Sequence, residues 1–246
     1  MDAIRVGDWV LKDVPVATFE QDERETLGVL SNRLFRDRAV TLDPVSETMT
    51  IESTPSRKGA TVIPMDWECG TPAIPANFGP FVGTWGIDSG AYTSTRRIPT
   101  PTLEKEVKDF PDGKPGKIRG VGGTRASWVV EPGVLELGDQ RVPHADLLLI
   151  AADELSPYRK RQGQLGNRVL NCFTTTFDFP GAALHLTPVD DLDRCALPEA
   201  KPLFSWGALG CYFLCPGLPI LGGIGWVVGA IRRRRRYADL GMNPID

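Results

Sequence analysis

Val82-Gly83-Thr84-Trp85-Gly86-Ile87-Asp88-Ser89-Gly90-Ala91 is the stretch on which the reading of this chain turns. β-Branched and aromatic residues at Val82, Thr84, Trp85 and Ile87 favour an extended strand. The run then stops at Asp-Ser-Gly, three residues that turn a chain readily, because short polar side chains bond nearby amides and glycine tolerates φ values that others avoid. The strand therefore delivers a carboxylate into a turn. Such a turn is either a surface feature or the seat of a functional acid, and the segments around it decide between the two.

Three segments bear on that choice. Gln164-Leu165-Gly166-Asn167 places two large residues and a glycine ahead of a short helical stretch. Between it and the Asp-Ser-Gly turn, Arg119-Gly120-Val121-Gly122-Gly123-Thr124 followed by Ala126 to Val130 reads as a glycine-rich hairpin. Thr174-Thr175-Thr176-Phe177-Asp178-Phe179-Pro180-Gly181 and then Leu184-His185-Leu186 read as a closing pair of strands. In this order the segments resemble a lobe of the pepsin and retropepsin superfamily of aspartic proteases. The resemblance covers residues 1 to about 188. It implies an all-β fold with minor helix, in which each lobe is a closed, barrel-like β structure.

The resemblance also implies roles. Asp88 becomes one of two catalytic carboxylates, with Ser89 orienting it and Gly90 letting the backbone amides reach it. Gly120, Gly122 and Gly123 become the flap over bound peptide. Ala91, Leu165 and Gly166 support the turn. Peptide hydrolysis needs a water made nucleophilic and a carbonyl oxygen protonated together, and two acids sharing one proton supply both. No metal and no cofactor enters this chemistry, and the partner is a peptide or protein substrate.

The chain also repeats itself. At an offset of 135, Gly28-Val29-Leu30-Ser31-Asn32-Arg33-Leu34-Phe35 falls on Gly163-Gln164-Leu165-Gly166-Asn167-Arg168-Val169-Leu170, and Thr41-Leu42-Asp43 falls on Thr176-Phe177-Asp178. Six of the sixteen positions from 28 to 43 are identical, too many in one register for chance, and the spacing is too long for a solenoid. With small shifts, Val6-Gly7-Asp8 answers Leu137-Gly138-Asp139. Residues 57–190 are expected to form a complete lobe and residues 1–55 the last part of a sister lobe. The sister copy contains no Asp-Thr/Ser-Gly, and Ser31 stands where the other copy has Gly166. The expectation is that the second carboxylate comes from a half-lobe upstream of Met1, or from a second chain in a homodimer, or is absent from a catalytically silent, membrane-tethered peptide-binding scaffold.

From Leu203 to Ile231 there are 29 residues without a charge, and as a helix they would span roughly 43 Å, enough for one crossing of a bilayer core of about 30 Å. Arg232 to Arg236 follow directly, so the positive-inside rule puts the C-terminal tail, 232–246, in the cytoplasm and the body outside, with 191–202 as linker. The body is mildly acidic, within a net charge of −3, which argues against a nucleic-acid partner. Of five cysteines, Cys69, Cys172 and Cys195 lie outside the apolar tail, so at most one disulfide can form among them. His144 and His185 have no partner motif and read as surface or edge-strand residues, Glu104 to Asp109 as a solvated helix or loop, and Trp67, Trp85 and Trp128 as core.

Overall fold

Runs of alternating residues punctuated by glycine become strands throughout. The computed structural model describes residues 3–14, 31–55, 59–68, 70–120, 123–152, 161–189 and 192, and the apolar segment 203–231 with its arginine run lies outside them. In chain order the strands are β1 (Ala3–Val6), β2 (Trp9–Lys12), β3 (Ala39–Asp43), β4 (Thr48–Glu52), β5 (Thr61–Pro64), β6 (Asp66–Glu68), β7 (Thr71–Phe78), β8 (Phe81–Ile87), β9 (Ser94–Pro99), β10 (Lys114–Gly120), β11 (Gly123–Val130), β12 (Leu135–Leu137), β13 (Gln140–Val142), β14 (Leu147–Ala152), β15 (Gly163–Leu165), β16 (Phe173–Asp178) and β17 (Ala183–Pro188). Helix is confined to a 3-10 turn at Asn32–Phe35, α1 (Thr100–Glu106) with a 3-10 extension at Val107–Asp109, and α2 (Asn167–Leu170). The class is all-β with minor helix. Among the described residues no helix is long and apolar enough to cross a membrane.

The strands form three sheets. A large one runs β10-β11-β14-β9-β15-β8-β7-β12-β13, with β6 on β7; a second runs β4-β3-β16-β17-β5; β1 and β2 pair with each other. The end strands of the large sheet are not bonded to one another, so among the described residues it is open, where a closed barrel was expected. Trp85, Phe78, Phe173, Leu135, Leu149 and Leu165 are fully buried in one shared core. Each such side chain contributes about 1.5–3 kcal/mol on leaving water. Trp67 departs from the expected core role: it is partly exposed and lies against Phe179, with ring centroids 5.6 Å apart.

The repeat in the sequence is a repeat of structure. The β3–β4 register, Ala39 opposite Glu52 through Asp43 opposite Thr48, recurs 135 residues on as Thr174 opposite Thr187 through Asp178 opposite Ala183. The 3-10 turn Asn32–Phe35 recurs at the same offset as α2. The β1–β2 hairpin, with Val6 opposite Trp9, recurs as β12–β13, with Leu137 opposite Gln140, and the turn glycines Gly7 and Gly138 share a left-handed φ of 61° and 65°.

The copies meet where β3 pairs antiparallel with β16. Thr41 stands opposite its own counterpart Thr176, their hydroxyls 2.8 Å apart, and the flanking pairs Leu42–Thr175 and Val40–Phe177 exchange roles across that point. A local twofold axis therefore passes between the two threonines.

Each hairpin turn begins with an equivalent aspartate. Asp43 Oδ1 accepts from the backbone N–H of Val45 at 2.9 Å, and Asp178 Oδ1 from that of Gly181 at 2.9 Å. Partial burial alone would raise the Asp43 carboxyl, but hydrogen bonds from the Ser46 hydroxyl and the amides of Val45 and Ser46 outweigh it and hold the group below the usual carboxylate range. A carboxylate lowered in the folded state stabilises above its unfolded pKa and loses that contribution as pH falls through the lowered folded value. Asp43→Asn is accordingly expected to flatten the acid side of the stability profile, measured as urea midpoints across the carboxylate range.

His185 is a correction to the sequence reading. It is buried, on β17 between β16 and β5, with Nε2 3.6 Å from Asp178 Oδ2. A strand covered on both faces does not advertise an edge in its pattern, which is why a lone histidine there looked peripheral. His144 is exposed as expected and contacts Glu131 at 2.6 Å.

Candidate active site

The Asp-Ser-Gly turn sits at a crossing of three strands. β15 lies between β8 and β9, parallel to β8 and bonded to β9 through Gln164 opposite Thr95. The Asp88 amide continues the β8–β15 ladder by donating to the Leu165 carbonyl at 2.9 Å. Asp88 and Ser89 are 4% and 2% exposed, so the turn is interior, and the surface-turn alternative is excluded.

The carboxylate is held by the backbone that follows it. Asp88 Oδ1 accepts from the N–H of Gly90 at 3.0 Å and of Ala91 at 3.2 Å. Two amide donors fix the orientation of the carboxylate in the turn.

The segment after the turn is pinned to the start of α2. The Asn167 amide donates to Ala91 O and the Arg168 amide to Tyr92 O, each at 2.8 Å, and Asn167 Nδ2 donates to Ser89 O at 2.6 Å. The Gly166 amide donates to Ser94 Oγ at 3.2 Å. Leu165 and Gly166 thus stand directly behind the turn, and Ala91 lies in the contact.

Gly120 and Gly123 face each other at the tip of the β10–β11 hairpin, while Gly122 lies outside the described residues. That hairpin joins the sheet through β14, which pairs with β9.

Two features carried no sequence signal. Arg161, with a side chain 1% exposed, donates through Nε to Glu68 Oε2 at 2.6 Å and through its NH2 group to the carbonyls of Glu68 and Thr71. Its guanidinium lies against Gly86, two residues before Asp88, and so fixes the floor beneath the strand. Arg161→Ala leaves Glu68 and two carbonyls without this donor and is expected to cost about 3 kcal/mol. The measurement is urea unfolding, with the paired change to Arg161→Met and Glu68→Gln recovering part of the loss. On the far side Arg168 pairs with Asp146, whose carboxyl is pushed up by burial against the opposing pull of that guanidinium.

Cys172 is buried and disulfide-bonded.

The fold and the turn define a mostly β chain with one buried Asp-Ser-Gly turn at a strand crossing. No protein-family model and no curated protein matches it. Among solved structures the chain is similar to a retropepsin-like aspartic protease from Rickettsia conorii, at 16% identity over 54% of this chain and 94% of that one, with a TM-score of 0.35.

Proposed function

We propose that this chain contributes Asp88 to an aspartic-type endopeptidase site. The observation that carries the reading is the buried Asp88 carboxylate, held by the amides of Gly90 and Ala91 at the end of an apolar strand. In the proposed reaction the ionised member of an acid pair takes a proton from water while the water oxygen bonds to the scissile carbonyl carbon. The protonated member gives its proton to the carbonyl oxygen. Collapse of the resulting diol breaks the C–N bond, and the amine nitrogen leaves with a proton. Ser89 orients the pair, and Gly120, Gly122 and Gly123 close over the peptide and exclude water.

The second carboxylate is supplied by a sister half-lobe or a second chain. The apolar segment 203–231 tethers the site to a membrane, with the arginine run on the cytoplasmic side. A specific observation favours a second reading: the sequence contains a single Asp-Thr/Ser-Gly, as a silent peptide-binding scaffold would.

The test is cleavage of an unfolded protein substrate from about pH 3 to 7, alongside binding of a hydroxyethylene peptide isostere. Acid-dependent cleavage blocked by the isostere is the expected result. Binding of the isostere without cleavage favours the scaffold, and absence of both overturns the endopeptidase reading.

A further inference from the structure

α2 is four residues long, and its N-cap, Gly166, offers no side-chain bond. A helix so short takes its orientation from tertiary contacts. Val169 and Leu170 seat it in the core, but apolar contact is non-directional. The directional ties are polar, and they run to two segments. To the Asp88 turn, the Asn167 and Arg168 amides donate to the carbonyls of Ala91 and Tyr92, and Asn167 Nδ2 to that of Ser89. To the start of β14, Arg168 Nη1 donates to Asp146 Oδ2, between side chains only 11% and 15% exposed.

Those two segments are themselves joined. Asp146 precedes Leu147, the first residue of β14, and Leu147 stands opposite Ser94 in the parallel β14–β9 pair. Ser94 lies just beyond Tyr92 and accepts from the Gly166 amide at 3.2 Å. A closed ring results, from Tyr92 along the chain to Ser94, across to Leu147 and Asp146, and back through Arg168 to the Tyr92 carbonyl. While it is closed, α2 cannot turn about its axis without breaking a bond to the segment that follows Asp88.

We propose that Arg168 and Asp146 are positioning residues of the Asp88 turn, and that the charge on Asp146 sets how firmly the turn is held. The inference rests on the proposed role of Asp88 and adds to it a control remote from the acid. The groups facing Asp146 are Arg168 of α2 and Glu131, which follows β11 and lies 2.6 Å from His144 Nδ1. Burial lifts the Asp146 carboxyl above the usual carboxylate range, Arg168 opposes the rise, and Glu131 adds to it. The folded chain thus takes up this proton before the unfolded chain does. Stability is not lost through Asp146 as pH falls, but the pair gives up its charge.

The test follows hydrogen exchange of the Gly90 and Ala91 amides in the isotope-labelled full chain from pH 7 to 3, in the parent, Asp146→Asn and Arg168→Lys. Near pH 7, Asp146→Asn is expected to exchange both amides about tenfold faster than the parent, with Arg168→Lys between them, while Leu149 keeps its protection. In acid the parent and Asp146→Asn should converge, because the parent carboxyl is then neutral too. In whichever assembly cleaves, Asp146→Asn should lower kcat about tenfold near pH 7, leave KM within about twofold, and approach the parent in acid. Equal exchange in all three chains near pH 7 would overturn the proposal. So would a difference that persists unchanged to pH 3, or one shared by Leu149, since either marks the pair as a structural fastener only. Exchange needs no cleavage, so a full rate in Asp88→Asn sinks the catalytic reading alone, and unaltered exchange beside a rate lost in Asp88→Asn sinks this proposal alone.

Discussion

Asp88→Asn is expected to reduce peptide hydrolysis by about 10²- to 10⁴-fold, in whichever assembly of the chain cleaves, while the fold persists. Asparagine keeps an oxygen where Asp88 Oδ1 receives the amides of Gly90 and Ala91, so the turn retains its acceptor. The charge is what disappears, and with it the base that takes a proton from water. The stability cost is the difference between a charged and a neutral acceptor, about 1 kcal/mol, or roughly 2–4 °C in melting temperature for a chain of this size. Asp88→Ala removes the acceptor as well and leaves two interior amides to find other partners, so it should be clearly less stable than the asparagine variant and no more active. Initial rates on one peptide, with thermal melts on the same preparations, separate the two effects. A rate unchanged in Asp88→Asn would exclude this carboxylate from the chemistry. A rate lost together with the fold would show instead that the acid is a structural fastener.

The prominence of Asp88 in the sequence has a physical basis. An acid at the end of an apolar strand, followed by serine and glycine, concentrates turn chemistry in three adjacent residues. The repeat was legible for a related reason. The identities that mark it, Asn32 with Asn167, Thr41 with Thr176 and Asp43 with Asp178, fall on a buried helix-start amide, the axis of strand pairing and the first residue of each hairpin turn. Such positions tolerate few residue types, so they keep their letters while packing positions drift among apolar residues. Interactions between distant segments left no such trace. Arg161 and Glu68 are 93 residues apart, and nothing near either one signals a buried pair. Burial of His185 depends on β5 and β16 flanking its strand, a fact of topology that alternation within β17 does not contain. The open order of the large sheet is likewise set by which distant strands meet.

Gly166→Ala is expected to destabilise the chain by more than about 4 kcal/mol, a large effect for one methyl group. A Cβ at this position would lie 2.6 Å from Thr93 C, 2.7 Å from Thr93 O and 2.9 Å from Tyr92 O, and all three are backbone atoms. No rotamer change relieves such contacts, so residues 92 and 93 must move away from α2. Residues 91 and 92 are tied to α2 by the Asn167 and Arg168 amides, and displacement of this segment loosens the Asn167 bond to Ser89 beside the acid. The twin position supplies the control. Ser31 occupies the equivalent place ahead of Asn32, and its side chain accepts from the Arg33 amide at 3.2 Å as an N-cap. There a Cβ is accommodated, so Ser31→Ala should cost only the cap, about 1 kcal/mol, and Ser31→Gly less. Glycine is thus required in one copy and dispensable in the other because a loop carrying an acid presses on the first. Urea unfolding of the three variants reads the contrast directly. Should Gly166→Ala fall within about 1 kcal/mol of the parent, the close packing of the Asp88 turn against α2 would be wrong, and the case for a rigidly held carboxylate would fall with it.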